Sequence, residues 1–193
     1  MKRLALLCGV MLLFAGLASA QDEAPKVEAF GGYSYVRVNP GFGFDGQNFN
    51  GGSGSLAYNF TPWLGAVADF GGYHWSNTDF DGTVVSYLFG PKIAYRHGPI
   101  TPFAQVLFGG AHGSGSFFST CSDARVSKIR PQGDGCTLSG SDNAFAMTLG
   151  GGVDWNATEH IGVRLIQGEY FMTRFFSETQ NNARISAGVV FRW

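Results

Sequence analysis

The chain has 193 residues, with 13 Lys+Arg against 14 Asp+Glu, and charged residues make up only 14% of it, well below the roughly 25% of an average soluble domain. Near-neutral charge excludes a strongly basic nucleic-acid binder. A 45% apolar share excludes disorder along the whole chain, and the length suits one domain. Glycine is abundant at 29 residues, beside 18 Phe, 7 Tyr and 4 Trp.

The first segment reads as an export signal over residues 1–20. Lys2 and Arg3 give a positive start, Leu4 to Leu17 an almost wholly apolar stretch, and Ala18-Ser19-Ala20 a small-residue cleavage site. The apolar run is too short to span a bilayer comfortably, and Gln21, Asp22 and Glu23 follow in place of a stop-transfer pattern. Residues 21–193 then form the mature domain, with Lys2 and Arg3 lost and Cys8 removed. Cys121 and Cys136 remain. In an oxidising exported compartment this pair is expected to form a disulfide. Zinc would need two further ligands, and no His lies between Gly113 and Asp142, so neither a metal nor a cofactor is expected.

Eight segments of period-two patterning follow, over 27–39, 53–61, 63–75, 83–97, 102–112, 143–155, 161–175 and 183–193. In the fourth, Val85, Tyr87, Phe89, Ile93 and Tyr95 share a face opposite Ser86, Gly90, Lys92, Ala94 and Arg96. In the sixth, Phe145, Met147, Leu149, Val153 and Trp155 oppose small residues and Asp154; in the eighth, Ile185, Val189, Phe191 and Trp193 oppose Arg184, Ser186 and Arg192. The seventh is irregular: Arg164 and Glu169 have opposite parity, so a bulge near Leu165 to Gln167 is expected to reset the register.

Connections at 59–63, 98–101 and 156–160 read as tight. Those at 40–52, 76–82, 113–142 and 177–182 read as longer, polar loops. Strict alternation of tight and long connections with an even strand count predicts an all-β, eight-stranded antiparallel transmembrane up-and-down β-barrel, short turns in the periplasm and loops outside. Eight strands also make soluble cups, but a soluble barrel would carry Lys and Glu on its outer face. Here the polar face is mostly Gly, Ala and Ser, which suits a narrow interior, and the continuous apolar face suits outer-membrane lipid. Trp63, Tyr95, Trp155 and Trp193, with Phe60, fall where the periplasmic aromatic girdle belongs; Tyr35, Tyr87 and Phe171 are expected in the outer girdle.

The ending Ser186-Ala187-Gly188-Val189-Val190-Phe191-Arg192-Trp193 resembles the last-strand signal read by the barrel assembly machinery of bacterial outer membranes, with Gly188, Phe191 and Trp193 at its key positions. The whole mature chain is similar to the small eight-stranded outer-membrane protein A-like barrels. It stops at the last strand, so the resemblance does not bring a peptidoglycan-binding domain or a wall-tethering role. It implies a cell outer-membrane location and a protein without enzymatic activity.

An eight-stranded barrel has room inside only for its own side chains. Asp69, Lys92, Arg96, Asp154, Arg164, Glu169, Arg184 and Arg192, together with Glu28, are therefore expected to pair in the lumen, making a filled barrel with a structural or surface-contact role. A narrow small-solute channel is the alternative. A second alternative rests on His112-Gly113-Ser114, whose spacing resembles that of outer-membrane lipid A deacylases, although no Glu occurs between Gly113 and Asn156 to match that family's acidic partner. Gly150-Gly151-Gly152 lies inside a strand and reads as relief for barrel curvature, and the sequons at Asn59 and Asn156 read as chance. A monomer contacting an unidentified extracellular ligand is expected, through a third loop holding Phe117, Phe118, Arg125, Lys128 and Arg130. The expected disulfide is checked by thiol labelling of the denatured, unreduced protein, which should leave Cys121 and Cys136 unmodified.

Overall fold

The computed structural model describes residues 24–39, 46–77, 80–119, 136–175 and 178–193. The signal segment and Cys121 lie outside them, as does the side chain of Cys136. Eight strands, β1 (Val27–Val38), β2 (Gln47–Asn59), β3 (Leu64–Asn77), β4 (Phe80–Ala94), β5 (Ile100–Ser119), β6 (Cys136–Asn156), β7 (Ile161–Phe175) and β8 (Glu178–Arg192), pair in chain order, each antiparallel to the next, and β1 closes on β8. No open edge remains, as hydrocarbon demands of backbone that crosses it, and the ladders are interrupted only at Gly90 and Pro91 of β4 and at the irregularity in β7.

The register fixes the geometry. A line of opposed residues from Val27 through Tyr58, Ala66 and Pro91, then Val106, Leu149, Tyr170 and Ala183, returns to β1 at Arg37, ten residues further along. With a rise of about 3.3 Å per residue and a strand spacing of about 4.8 Å, that stagger tilts the strands by about 40°. Each residue then advances roughly 2.5 Å along the axis.

Alternation within each strand sorts the side chains as the sequence implies. Tyr87, Phe89, Ile93 and Tyr95 of the fourth segment are exposed, while Ser86, Lys92 and Ala94 are buried in the lumen. The outward apolar surface runs from Tyr95, Trp155 and Trp193 at one end to Val85 and Phe145 at the other. On the register above, that is a height of about 25 Å, the apolar band of outer-membrane barrels. Trp63, by contrast, is only half exposed.

The three connections at the first end, hereafter the turn end, are short, and the start of β1 meets the end of β8 there, Val27 and Trp193 exchanging backbone hydrogen bonds. Two of the turns share a device. Thr61 Oγ1 accepts from the Leu64 amide at 3.0 Å and Thr158 Oγ1 accepts from the Ile161 amide at 2.9 Å. The sequon-like triplets thus have structural work: Asn59 Nδ2 donates to the Pro25 carbonyl and Asn156 Nδ2 to Thr101 Oγ1. The remaining turn bends at Gly98, whose φ of 64° is the left-handed region that glycine enters freely.

At the opposite, rim end the alternation of tight and long connections is not kept. β3 and β4 are separated by only two residues, 78–79, and β7 and β8 by 176–177; β5 runs to Ser119 and β6 starts at Cys136. Of the segments read as loops, residues 76–77, 80–82, 113–119, 136–142 and 178–182 are therefore strand. Beyond the apolar band both faces of a strand meet water, so Gly, Ser, Asn and Thr continue the ladder without a greasy face, and composition alone mistakes them for loop.

The bulge in β7 is present. Its pairing with β8 shifts between Arg164 and Gln167, and Leu165 and Ile166 both face outward, 52% and 53% exposed. The shift returns Gln167 and Glu169 to the lumen. It also turns Phe171 inward, where it is 1% exposed, so this ring is a luminal residue and not part of the outer girdle. Deleting Ile166 removes the extra residue, so β7 should become a regular strand with Arg164 and Glu169 still both facing the lumen; the expected outcome is that the refolded protein keeps its compact, heat-modifiable band on unboiled gels.

Candidate functional site

Inside the barrel the charged residues form two tiers. In the tier near the turn end, Glu28 on β1 accepts from Lys92 at 2.6 Å and from Arg96 at 2.8 Å, with Arg192 at 3.7 Å. Asp154 takes both Nε and Nη2 of Arg164, at 2.8 and 3.2 Å, and Arg192 at 3.3 Å. Arg192 thus bridges the two carboxylates. The Arg164 guanidinium lies 4.3 Å from the ring centroids of both Phe30 and Phe103, and Lys92 sits 4.7 Å from that of Phe103, so the cations are held by aromatic faces as well as by anions.

The second tier, about one strand-turn higher, centres on Arg184. It donates to Asp69 at 2.7 Å, to Glu169 at 2.6 Å and to the Tyr73 hydroxyl at 2.9 Å. Glu169 also accepts from Gln105 at 2.9 Å. Gly150 clears the space: a Cβ there would run into the Gly168 carbonyl and Glu169 Cγ, while one at Gly152 would come within 2.9 Å of the Phe103 ring. The triple glycine therefore makes room for luminal side chains opposite it.

Beside the second tier and above it the lumen turns apolar, with Leu88 opposite Asp69 and Val36 opposite Arg184. Val36, Phe49, Tyr73, Leu88, Leu107 and Phe171 pack together, and Val38, Trp75 and Val84 close over them. The gap left between Val36, Phe49, Tyr73 and Phe171 amounts to about 20 Å³, room for a single water. Among the described residues, then, the lumen holds all eight charges expected there together with Glu28, and an apolar cap that sequence reading missed. The signal for the cap was present: Val36, Tyr73, Leu88 and Phe171 have the parity of the luminal charges Glu28, Asp69, Lys92 and Glu169 on their own strands.

The outward face changes character just above the apolar band. Tyr33 donates to Asn50, Tyr35 to Asn48 at 2.8 Å, Tyr170 to Asn181, and His112 Nδ1 to Asn143 Oδ1 at 2.9 Å. His74 hydrogen-bonds Thr83 at 3.2 Å and lies 3.5 Å from Asp81. A belt of cross-strand polar pairs thus circles the barrel at one height. His112 and Ser114 both belong to it and face outward on β5. Asn143, on the neighbouring strand, is the hydrogen-bond partner of His112, so no carboxylate stands in that place.

This closed barrel, with its charges inside and its greasy face outside, is the form the sequence comparisons recognise. Residues 5–192 match the family described as the outer membrane protein beta-barrel domain. The chain belongs to that family. In structure it is similar to Neisserial surface protein A (NspA), with a TM-score of 0.64 and 12% identity over 89% of this chain and 100% of that one. It is also similar to Ail, the attachment invasion locus protein of Yersinia pestis, at 0.55 and 18% over 87% and 99%. No curated protein matches it in sequence. The molecule is an outer-membrane, Gram-negative-type barrel of the small eight-stranded kind.

Arg184 is the test of the ionic core. Removing one member of a buried network leaves uncompensated charge and destabilises by about 3–5 kcal/mol. Arg184→Met should therefore lower the urea midpoint of the folded band in lipid vesicles markedly, while the triple change to Met with Asp69→Asn and Glu169→Gln should recover much of the loss.

Proposed function

We propose that this barrel is a non-enzymatic surface protein with a sealed lumen, and that its working part is the sheet raised above the rim by β3 to β6. The observation that carries this reading is strand length. β5 has 20 residues and β6 has 21, which at roughly 2.5 Å of axial rise each reach about 50 Å, twice the apolar band. A barrel needing only to sit in the membrane has no use for the excess, whereas a raised, ladder-bonded sheet carries its strand ends at Ser119 and Cys136 well away from the bilayer, and the sequence between those ends holds Arg125, Lys128 and Arg130. The rim end is read as extracellular, since the short turns, the start of β1 and the end of β8 share the other end. Ail, a structural neighbour, has been crystallised with the heparin analogue sucrose octasulfate, which makes sulfated polysaccharide a sensible first probe for those cations.

The two ionic tiers and the apolar cap support a lumen that does not conduct. The hydrogen bond from His112 to Asn143 favours a second reading, a hydrolase in which Asn143 orients His112 beside Ser114. Three measurements separate these readings. The surface-contact reading expects retention of cells on immobilised heparin that falls at least several-fold when residues 114–141 are replaced by a two-residue turn. It also expects no discrete conductance steps in planar bilayers, and no change in extracted lipid A acylation in Ser114→Ala cells. Channel steps or altered acylation would overturn it.

A further inference from the structure

The polar belt is not evenly charged. At the rim, Arg37 on β1 and Arg174 on β7 both face outward and are exposed. Arg37 donates to Asn48 at 2.7 Å and has no carboxylate partner among the described residues, and neither has Arg174. Among the described side chains, no carboxylate faces outward on β7, β8, β1 or β2: Glu28 and Glu169 both point into the lumen, and the side chain of Glu178 on β8 lies outside the described ones. On the far side of the barrel the belt carries Asp81 paired with His74. Among the described side chains, then, one sector is cationic and the other neutral to acidic.

Register places the two arginines at one level. Arg37 lies opposite Ala183, which lies opposite Tyr170, and Arg174 is four residues further along β7. With the spacings of a regular sheet their Cα atoms are about 16 Å apart, and their heights differ by only about 4 Å. Immediately below them the wall is Tyr170, Ile185, Val189 and Leu165, an acyl-chain surface. Between them, on β8, stands Asn181, bonded to Tyr170, while Asn48 on β2, bonded to Tyr35 and Arg37, flanks Arg37 on its other side.

We propose that this sector binds the headgroup of a doubly phosphorylated glycolipid of the outer leaflet, one phosphate at each arginine and the sugar hydroxyls along the Asn181–Tyr170 pair between. Arginine forks match phosphate oxygens in pairs. The separation suits phosphates at opposite ends of a disaccharide and exceeds what one glycerophosphate supplies. The aromatic and aliphatic wall beneath receives the acyl chains, so headgroup and tails are both satisfied at the depth where the apolar band ends. The proposal rests on the rim being extracellular, yet it does not depend on any adhesive role for the raised sheet.

The test uses the full mature chain refolded into phosphatidylcholine nanodiscs doped with bisphosphorylated lipid A, dephosphorylated lipid A or phosphatidylglycerol, with lipid retained per barrel measured by native mass spectrometry. Wild type should retain bisphosphorylated lipid A. Arg37→Gln with Arg174→Gln should weaken retention about 25-fold, taking about fivefold for each cation near an anionic lipid layer. Lys26→Gln, at the turn end, should leave retention unchanged. Identical heat-modifiable migration of the variants shows that each is folded. Retention of the dephosphorylated lipid at the wild-type level, equal retention of phosphatidylglycerol, or equal binding by the double variant would each overturn the assignment. Protease accessibility of the rim on intact cells separates failure of the site from failure of the orientation, because a rim found in the periplasm would not meet the outer leaflet.

Discussion

The structure is governed by the two-sided environment that a closed sheet creates in a membrane. Side chains alternate, so each strand must give one set to acyl chains and the other to an interior with no room for bulk water. Charges cannot face hydrocarbon, and once inside they cannot stand alone. Every other feature of the barrel follows from satisfying both halves of that condition: the Glu28, Asp154 and Arg184 networks, the glycines opposite bulky luminal groups, and the bulge that keeps Arg164 and Glu169 on the same side.

The interior is consequently graded. Ionic side chains occupy the half near the turns, where Phe30 and Phe103 flank Arg164, and aliphatic and aromatic groups occupy the half toward the rim. A Ser34–Ser53 and Ser34–Ser186 hydroxyl chain, at 2.6 and 2.7 Å, lies where the one gives way to the other. Hydrogen-bonded hydroxyls are small enough to fill the width left between strands and polar enough to sit beside the upper ionic tier, which explains why serine is buried here without penalty.

Most of the architecture was legible in the sequence because the bilayer enforces period two so strictly. The fourth, sixth and eighth segments declare their faces unaided, and the mismatch between Arg164 and Glu169 located the β7 bulge. What the sequence hid lies where that enforcement ends. Above the band both faces of β5 and β6 are wet, so strand and loop have the same composition. Phe171 was placed on the wrong face because its ring suits either environment, and only the shifted register decides between them. The cross-strand pairs of the belt, such as His112 with Asn143 and Tyr170 with Asn181, join residues 31 and 11 positions apart, a relation that only the ladder reveals.

The seam between the first and last strands has a further consequence. Glu28 stands on β1 at that seam and is the carboxylate that neutralises both Lys92 and Arg96, while its own cross-strand partner is Arg192. An unsealed sheet lacking β1 would leave those two cations without a counter-ion, in a space already being emptied of solvent. Zipping up the cylinder and balancing its internal charge are therefore the same act. The chain cannot gain the first without the second, which makes its assembly all-or-none from the first strand to the last.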